Sequence, residues 1–248
     1  SVKNLTKTGY FSNVSFDVRY GEIFGLTGLV GSGRSELCQA ICGITTADSG
    51  EVILDGEKVH FTHPSQSMKK KLGYLPEDRQ IQGLILGWEI YRNQTLPALK
   101  RYANILGINT KKEREQGEAL TKRLGIKASS IEDLVMMLSG GNQQKVILSK
   151  LLNLDLKVLI LDEPTKGVDI GAKSQIYSIM TELVQQGYAI ILISLEMPEV
   201  MAMSDRIGVM YEGSLMRIYD AKNVTQEELL AAAINSGNLQ SDTREEKK

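Results

Sequence analysis

The chain has 248 residues, 42% of them hydrophobic and 24% charged, which is the composition of an ordinary globular protein. Its formal net charge of −1 gives no electrostatic case for binding nucleic acid or an anionic membrane surface. No apolar run approaches the length of a membrane span, and no basic-then-apolar leader opens the sequence. We therefore expect a cytosolic chain whose connection to a membrane, if any, comes through a partner protein.

The first third of the chain combines short strands with one glycine-rich loop and one helix. The predicted elements are strands at 14–18, 23–29, 51–54, 58–61 and 72–75 and a helix at 33–42. Asp55-Gly56 is a strong hairpin signal between the third and fourth strands, and Gly43 ends the helix. The glycine-rich loop therefore joins a strand directly to a helix.

The segment from residue 78 to residue 135 is richer in charge and in helical pattern. Its clearest helix is predicted at 111–124, and it contains no convincing strand. We interpret it as a helical subdomain inserted into the core. The predicted division is a core with an antiparallel β subdomain at 1–77 and 139–236, a helical subdomain at 78–138 and a disordered tail at 237–248.

After residue 139 the chain alternates helices with buried strands. Helices are predicted at 142–152, 172–186, 198–203 and 225–234, and strands at 158–161, 189–194, 206–211 and 214–219. The first two of these strands, 158–161 and 189–194, are apolar without alternation, as expected for strands covered on both faces. The predicted fold class is therefore α/β with a mostly parallel core sheet.

The glycine-rich loop is the first candidate site. Gly28-Leu-Val-Gly-Ser-Gly-Arg-Ser35 has the spacing of a phosphate-binding loop and lies between a strand and a helix, as that motif requires. Glycines let backbone N–H groups surround phosphate oxygens, and the helix N-terminus favours anions. Ser35 is placed to give its hydroxyl to Mg²⁺. The candidate nucleotide contacts are Gly28, Gly31, Ser32, Gly33, Arg34, Ser35 and Glu36. A glycine turn that merely joins strand and helix is the alternative for this loop taken alone.

Arg34 stands where a phosphate loop normally has lysine. Lysine would deliver a compact charge to the β- and γ-phosphates, whereas arginine is longer and planar. Because a guanidinium group still pairs with phosphate, we expect nucleotide binding to be retained and phosphate geometry to be impaired.

Two adjacent carboxylates, Asp162 and Glu163, directly follow the apolar strand predicted at 158–161. Ligands bind α/β sheets at the carboxyl ends of their strands. We expect Asp162 to support Mg²⁺ and Glu163 to be the catalytic residue that polarises an attacking water. The alternative is an Asp-Glu-Pro helix cap, which would leave the companion motifs unexplained.

These segments, together with Leu138-Ser-Gly-Gly-Asn-Gln-Gln-Lys145, resemble the nucleotide-binding domain of an ABC transporter ATPase, which is a P-loop NTPase. The resemblance implies ATP and Mg²⁺ as ligands and ATP hydrolysis as the reaction. It also implies that the signature motif acts in trans, by closing over the phosphate loop of a second domain packed head to tail. The signature residues are Ser139, Gly140, Gly141 and Asn142.

Two further family positions depart from the usual pattern. Glu77 falls where the family has a glutamine, and a carboxylate oxygen there can still bind a hard cation such as Mg²⁺. Leu195 occupies the position of the switch histidine, and its side chain cannot hydrogen-bond a γ-phosphate. Gly167-Val168-Asp169 matches the loop that contacts the partner domain. Because Glu77, Leu195 and Arg34 all belong to the site built on this domain's own phosphate loop, we expect a degenerate site here and a competent site on a partner.

A narrower resemblance is carried by the phosphate loop, Pro-Glu-Asp-Arg at 76–79, the signature and Ser-Asp-Arg-Ile at 204–207. These segments are similar to the C-terminal half of the duplicated ATPase subunit in bacterial sugar importers of the ribose, galactose and xylose type. The resemblance covers roughly residues 1–236 and implies an N-terminal nucleotide-binding half in the same subunit. It also implies membrane permease subunits as partners, a periplasmic or extracellular sugar-binding protein as an indirect partner, no nucleic acid, and a peripheral location on the cytoplasmic face of the cell membrane.

Two other classes of function are compatible with the sequence. A non-hydrolysing partner would bind ATP and supply only its signature to the other half, which Arg34 and Leu195 favour and Glu163 opposes. A soluble ABC ATPase of DNA repair or translation fits less well, because the chain has no basic patch. The aromatic residue that stacks on adenine stays open between Tyr10 and Phe11.

Overall fold

The computed structural model describes residues 1–105 and 107–234. Its strands are β1 (Val2–Lys7), β2 (Phe11–Phe16), β3 (Ile23–Gly28), β4 (Ser49–Leu54), β5 (Glu57–Val59), β6 (Leu72–Leu75), β7 (Ala103–Asn104), β8 (Gly107–Ile108), β9 (Val158–Asp162), β10 (Ala189–Ile193), β11 (Arg206–Tyr211) and β12 (Ser214–Asp220). Its α-helices are α1 (Arg34–Ile41), α2 (Pro64–Lys69), α3 (Ile90–Thr95), α4 (Thr110–Arg123), α5 (Gly140–Leu152), α6 (Ile170–Gln185), α7 (Met197–Met203) and α8 (Gln226–Ile234). The tail predicted at 237–248 lies outside the described residues.

The central sheet has the strand order β12-β11-β3-β10-β9-β6. Its strands run parallel to their neighbours except β12, which pairs antiparallel with β11. A second sheet, with the order β2-β1-β4-β5, is antiparallel throughout. The prediction of an α/β fold with a mostly parallel core and an antiparallel β subdomain is confirmed.

The apolar strands of the central sheet are covered on both faces. In β9, Val158 and Ile160 pack into the cluster shared with the antiparallel sheet and α1, whereas Leu159 and Leu161 pack into the cluster shared with α5 and α6. Because alternate side chains of a strand point to opposite faces, two apolar clusters require the unbroken apolar run seen in the sequence.

The segment between β6 and α5 is mainly helical, and it packs onto the core through α5. Within it, α3 packs against both α4 and α5. Short 3₁₀ or π turns occupy Arg79–Gly83, Leu96–Arg101 and Val135–Met137. No helix among the described residues is both long and apolar enough to cross a membrane.

The structure differs from the predicted elements in several places: α2 was not predicted, and β2 covers Phe11–Phe16 rather than 14–18. β1 was not predicted, although it pairs with both β2 and β4. The expectation of no strand at 78–135 is wrong, because β7 and β8 pair there as a hairpin. Each of these two strands is only two residues long and carries no apolar alternation, so no periodic signal marked it. Finally, α5 begins at Gly140 rather than at residue 142, because the signature glycines form its first turn.

Candidate functional site

The carboxyl ends of three strands meet at one edge of the central sheet. β3 ends at Gly28, β9 ends at Asp162, and β10 ends at Ile193. Ile193 lies in register with Asp162 on one side and with Leu26 on the other. The phosphate loop and the two carboxylates, which the sequence placed in separate segments, therefore lie at the same edge of the sheet, where α/β proteins bind ligands.

The phosphate loop needs glycine at two positions because the backbone passes close to other segments there. Gly28 and Gly33 both have positive φ, of 152° and 90°. A Cβ at Gly28 would lie 2.2 Å from the carbonyl oxygen of Met210, and one at Gly33 would lie 2.6 Å from that of Tyr10. Gly33 also caps α1 without any side-chain hydrogen bond, and Ser35 and Glu36 follow it in the first helical turn. The amides at the start of α1 thus remain available to an anion.

Arg34 is 7% exposed, and its guanidinium group is turned onto the chain's own backbone. Nη1 donates a hydrogen bond of 3.1 Å to the carbonyl oxygen of Ser194, and Nη2 lies 3.5 Å from that of Leu29. Burial lowers the pKa of Arg34, and the nearby carboxylates, chiefly Glu163 and Asp162, oppose that shift. Arg34, which stands where the motif usually has lysine, thus lies between the phosphate loop and the end of β10.

Asp162 is almost completely buried and carries one unsatisfied oxygen. The Tyr74 hydroxyl donates to its Oδ2 at 2.6 Å, whereas Oδ1 has no hydrogen-bond partner within the described residues. Burial raises the pKa of Asp162, and hydrogen bonding from Tyr74 and the nearby Ser35 hydroxyl opposes that shift. Tyr74 was not predicted as a site residue. It reaches Asp162 because its strand, β6, pairs with β9.

These groups fit a magnesium ion. An orphaned, buried carboxylate oxygen beside a serine hydroxyl supplies the hard oxygen ligands that Mg²⁺ prefers. Within residues 1–105 and 107–234, no group of three or more His, Cys, Asp or Glu side chains could hold a metal ion. A cation at Asp162 and Ser35 would therefore complete its shell with water and phosphate oxygens, as Mg²⁺ commonly does.

Glu163 lies beside Asp162 in a strained backbone conformation. Its φ is 49°, in the left-handed region that costs a non-glycine residue free energy and is frequent at functional sites. Its Oε1 accepts a hydrogen bond of 2.8 Å from the backbone N–H of Leu195. Burial raises the pKa of Glu163 to about 7, against the effect of this hydrogen bond and of Arg34. Leu195, singled out because it lacks a polar side chain, thus contacts the site through its backbone.

Glu77 is not bonded to Ser35 or Asp162 in this structure. Its Oε1 pairs with Nζ of Lys166 at 2.5 Å, and both side chains are substantially exposed. Two residues further on, Arg79 donates from Nη1 to the carbonyl oxygen of Lys166 at 2.7 Å and from Nη2 to that of Gly167 at 3.2 Å. The loop after β6 is therefore tied to the loop that follows the two carboxylates.

The signature residues form the N-terminal end of α5, with Ser139 just before its first turn. Ser139 is the N-cap and makes no side-chain capping bond. Asn142 donates to the Ser139 hydroxyl at 3.0 Å and accepts from the backbone N–H of Lys127 at 2.9 Å. A Cβ at Gly141 would lie 2.4 Å from the Cβ of Ala172, so glycine lets α5 approach α6 closely. The first-turn amides of α5 border a cleft of about 170 Å³.

The two aromatic candidates for adenine stacking have different environments. Phe11 is 3% exposed and belongs to the core, whereas Tyr10 is 52% exposed. The Tyr10 backbone also borders the phosphate loop at Gly33. Only Tyr10 therefore presents a ring to solvent beside the loop.

A glycine loop joining a strand to a helix, with two carboxylates at the end of a neighbouring parallel strand, defines a P-loop nucleotide-binding fold. The family model described as ABC transporter matches residues 11–166, which is more than half of the chain. The chain belongs to the ABC transporter family.

Among curated proteins, the chain is 47% identical to the ribose import ATP-binding protein RbsA of Halalkalibacterium halodurans, over 92% of this chain and 46% of that protein. It is 45% identical to the RbsA protein of Bacillus subtilis, over 94% of this chain and 47% of that one. It is 44% identical to a putative ribose/galactose/methyl galactoside import ATP-binding protein of Pseudomonas syringae, over 94% and 44% of the two chains. The chain thus spans about half the length of the curated relatives it matches.

Solved structures of ATP-binding cassettes share the fold. A dimeric cassette in a post-hydrolysis state with ADP and Pi bound aligns with a TM-score of 0.76 at 21% identity, over 90% of this chain and 99% of that one. A nucleotide-free cassette from an ABC transporter aligns with a TM-score of 0.77 at 21% identity, over 92% of both chains. At this level of identity the likeness concerns the fold alone.

Proposed function

We propose that this chain is the ATP-binding half of a carbohydrate importer's ATPase subunit, coupling ATP binding and hydrolysis to sugar uptake. The observation that carries the proposal is the 47% identity to a protein named for ribose import, over nearly the whole chain. The placement of Asp162 and Glu163 beside the phosphate loop supports an ATPase role. Residues 1–77 and 139–236 would form the ATP-binding core and residues 78–138 the signature subdomain.

In this proposal, the phosphates of ATP bind the amides of the phosphate loop and of the first turn of α1, from Gly28 to Glu36. Ser35 and Asp162 hold Mg²⁺, with Glu77 as a further ligand once it leaves Lys166; bound Mg²⁺ would neutralise charge on the phosphates. Glu163 is the catalytic residue, because a carboxylate with a pKa of about 7 can accept a proton from water near neutral pH. Tyr10 is the candidate adenine contact.

The signature would act on another molecule's nucleotide. Ser139, Gly140, Gly141 and Asn142 expose an uncapped helix N-terminus, which is the kind of group that binds a phosphate. The partner donating the other phosphate loop is proposed to be an N-terminal half of the same subunit, which agrees with relatives about twice as long as this chain.

The remaining partners are proposed to be membrane permease subunits, with a periplasmic or extracellular sugar-binding protein acting indirectly. A groove of about 270 Å³ lies between α2, α5 and the segment after β6. Lys150 lines this groove and donates to the carbonyl oxygen of Gly83; burial lowers its pKa. The location would be peripheral, at the cytoplasmic face of the cell membrane.

The test is Mg-ATP binding and turnover by this chain, with Glu163→Gln as the active-site variant. Turnover that Glu163→Gln abolishes while binding persists would support hydrolysis by this domain. The absence of nucleotide binding would overturn the proposal. Binding without turnover would favour the second candidate, and adding the N-terminal half would then show whether the signature activates the other site.

That second candidate is a nucleotide-binding partner that does not hydrolyse ATP. It is favoured by one specific observation: Arg34 is bonded to the carbonyl oxygen of Ser194 inside the domain rather than directed away from the backbone. Leu195 adds to this, because its side chain is apolar where a γ-phosphate contact is expected. Such a domain would bind ATP as a clamp and lend its signature to a competent partner.

A further inference from the structure

Glu199 is a buried carboxylate that the mechanism above does not use. It lies in the first turn of α7 and is 5% exposed. None of the ion pairs in the described part of the chain includes it. A buried carboxylate without a cation is costly, and it is retained in a fold only where hydrogen bonds compensate its desolvation. Glu199 therefore needs an explanation from its neighbours.

Its neighbours are hydroxyl groups from three different elements. The Thr165 hydroxyl donates to Oε1 at 2.6 Å, and the Ser194 hydroxyl donates to Oε2 at 2.5 Å. The Tyr177 hydroxyl of α6 also lies beside it, and burial together with the Glu199 carboxylate raises the pKa of Tyr177 to about 12. Glu199 thus joins the loop after β9 to the turn after β10.

Both of these segments fix the position of Glu163: one contains it, and the other donates a hydrogen bond to its side chain. Thr165 follows Glu163 by two residues, so the first hydrogen bond fixes the loop that carries the catalytic side chain. Ser194 precedes Leu195, whose N–H donates to Glu163 Oε1, so the second bond fixes the donor that orients the carboxylate. The hydrogen bonds of Glu199 go to the two segments that set the Glu163 geometry, and its charge also acts on Glu163, whose pKa it helps to raise.

The turn at Ser194 also binds Arg34 of the phosphate loop. The carbonyl oxygen of Ser194 accepts from Nη1 of Arg34 at 3.1 Å and from the Thr27 hydroxyl at 3.1 Å. A change in the Ser194 conformation would therefore reach Glu163 through one neighbour and Arg34 through another.

We propose that Glu199 is a positioning residue that locks the turn at Ser194–Leu195 to the Glu163 loop and so orients Glu163 toward the nucleotide. The role in catalysis rests on the proposed function, because it presumes that Glu163 polarises water. The positioning itself is a property of the fold and can be measured without any turnover.

The test is amide hydrogen exchange in the chain carrying Glu199→Gln, which keeps the size of the side chain. Glu196→Gln is the matched control: it lies on the same short segment, but its carboxylate is exposed and pairs with Lys173. In Glu199→Gln, residues 163–168 and 194–196 are expected to exchange about tenfold faster or more, since charge-assisted hydrogen bonds are lost there. The strands β3 and β9 and the Glu196→Gln variant are expected to keep wild-type rates.

Unchanged exchange at 194–196 in Glu199→Gln would overturn the proposal. A uniform acceleration across the central sheet would also overturn it, because that result describes a residue that only stabilises the whole fold. Thr165→Val and Ser194→Ala each remove one of the two hydroxyl donors to Glu199 and keep the proposal testable if Glu199→Gln does not fold; Ser194→Ala also removes the bond from the Glu196 N–H. Each is expected to accelerate exchange in its own segment, and an absence of effect in both would contradict the inference.

Turnover gives an independent second readout. Where the wild type hydrolyses Mg-ATP, Glu199→Gln is expected to lower kcat by about tenfold or more with KM within about twofold, because orientation of Glu163 and not nucleotide binding is changed. A raised KM with unchanged kcat would contradict the positioning role. If the wild type binds ATP without hydrolysing it, the second candidate function is favoured, and the exchange experiment still decides the role of Glu199.

Discussion

The phosphate-loop side of the domain and its signature side differ in where their functional groups are directed. On the phosphate-loop side, Arg34 donates to the carbonyl oxygen of Ser194 and Glu163 accepts from the Leu195 amide, so both charged groups are bound within the chain. On the signature side, α5 begins at Gly140, its N-cap Ser139 makes no side-chain capping bond, and its first turn borders an open cleft. Both helix N-termini thus lack a side-chain cap, but only the phosphate-loop side ties charged side chains to its own backbone.

The contacts of Arg34 explain how the fold accommodates arginine at this position of the phosphate loop. The buried guanidinium group of Arg34 donates to the carbonyl oxygen of Ser194 and lies 3.5 Å from that of Leu29, which offsets part of its desolvation. Within the described residues, no side chain caps the first turn of α5 at Ser139, and in the proposed function its amides bind a phosphate held by a second domain.

The largest expected effect comes from Glu163→Gln, which tests whether the phosphate-loop side is catalytic at all. Turnover of Mg-ATP is expected to fall by about 10²- to 10⁴-fold, the usual contribution of a general base, with nucleotide affinity retained. Phosphate release and nucleotide binding would be measured on the same preparation, with Glu196→Gln as the control. Turnover that survives the substitution would assign the base to another residue and remove the main reason to regard this side as active.

The next largest effect is expected on the signature side, from Gly141→Ala. The added Cβ would lie 2.4 Å from the Cβ of Ala172, so α5 and α6 must move apart. The free energy of unfolding is expected to fall by about 1–3 kcal/mol, as for other overpacked sites. Thermal or urea unfolding measures this change, and Gly87→Ala is the control because a Cβ there meets nothing within 4 Å. An equal loss in both variants would show that close packing at Gly141 is not the cause.

A smaller effect is expected when lysine is restored with Arg34→Lys. The ammonium group is compact and releases the Ser194 carbonyl, so turnover is expected to rise by roughly threefold to tenfold. Steady-state hydrolysis measures it, with the surface substitution Arg123→Lys as the control. A fall in turnover would mean that the Arg34–Ser194 contact is part of a working site, and the contrast between the two sides would then lose its basis.

The sequence predicted the elements with strong local signals and missed the contacts that depend on register. The run at 158–161 was predictable because both of its faces are apolar, and the phosphate loop because its glycines have a fixed spacing. The hydrogen bond between Tyr74 and Asp162 joins residues 88 positions apart, and it exists only because β6 pairs with β9. Likewise, the sequence shows that Leu195 has no polar side chain, but it does not show that the backbone N–H of Leu195 donates a hydrogen bond to Glu163.

The smallest effect is expected from Tyr74→Phe, which removes the donor to Asp162 Oδ2 and leaves the phosphate loop and signature untouched. Asp162 loses a hydrogen bond that favours its charged form and fixes its orientation, so Mg²⁺ should support nucleotide binding about twofold to threefold less effectively. Titration of Mg²⁺ at fixed nucleotide measures this. Tyr20→Phe is the matched control, because Tyr20 also donates to an aspartate, Asp55, which belongs to the turn between β4 and β5 of the antiparallel sheet. Equal Mg²⁺ dependence in the two variants would show that Asp162 needs no support from β6. A specific loss in Tyr74→Phe would place the ion on the phosphate-loop side and show that this side, although closed onto its own backbone, still carries a metal site.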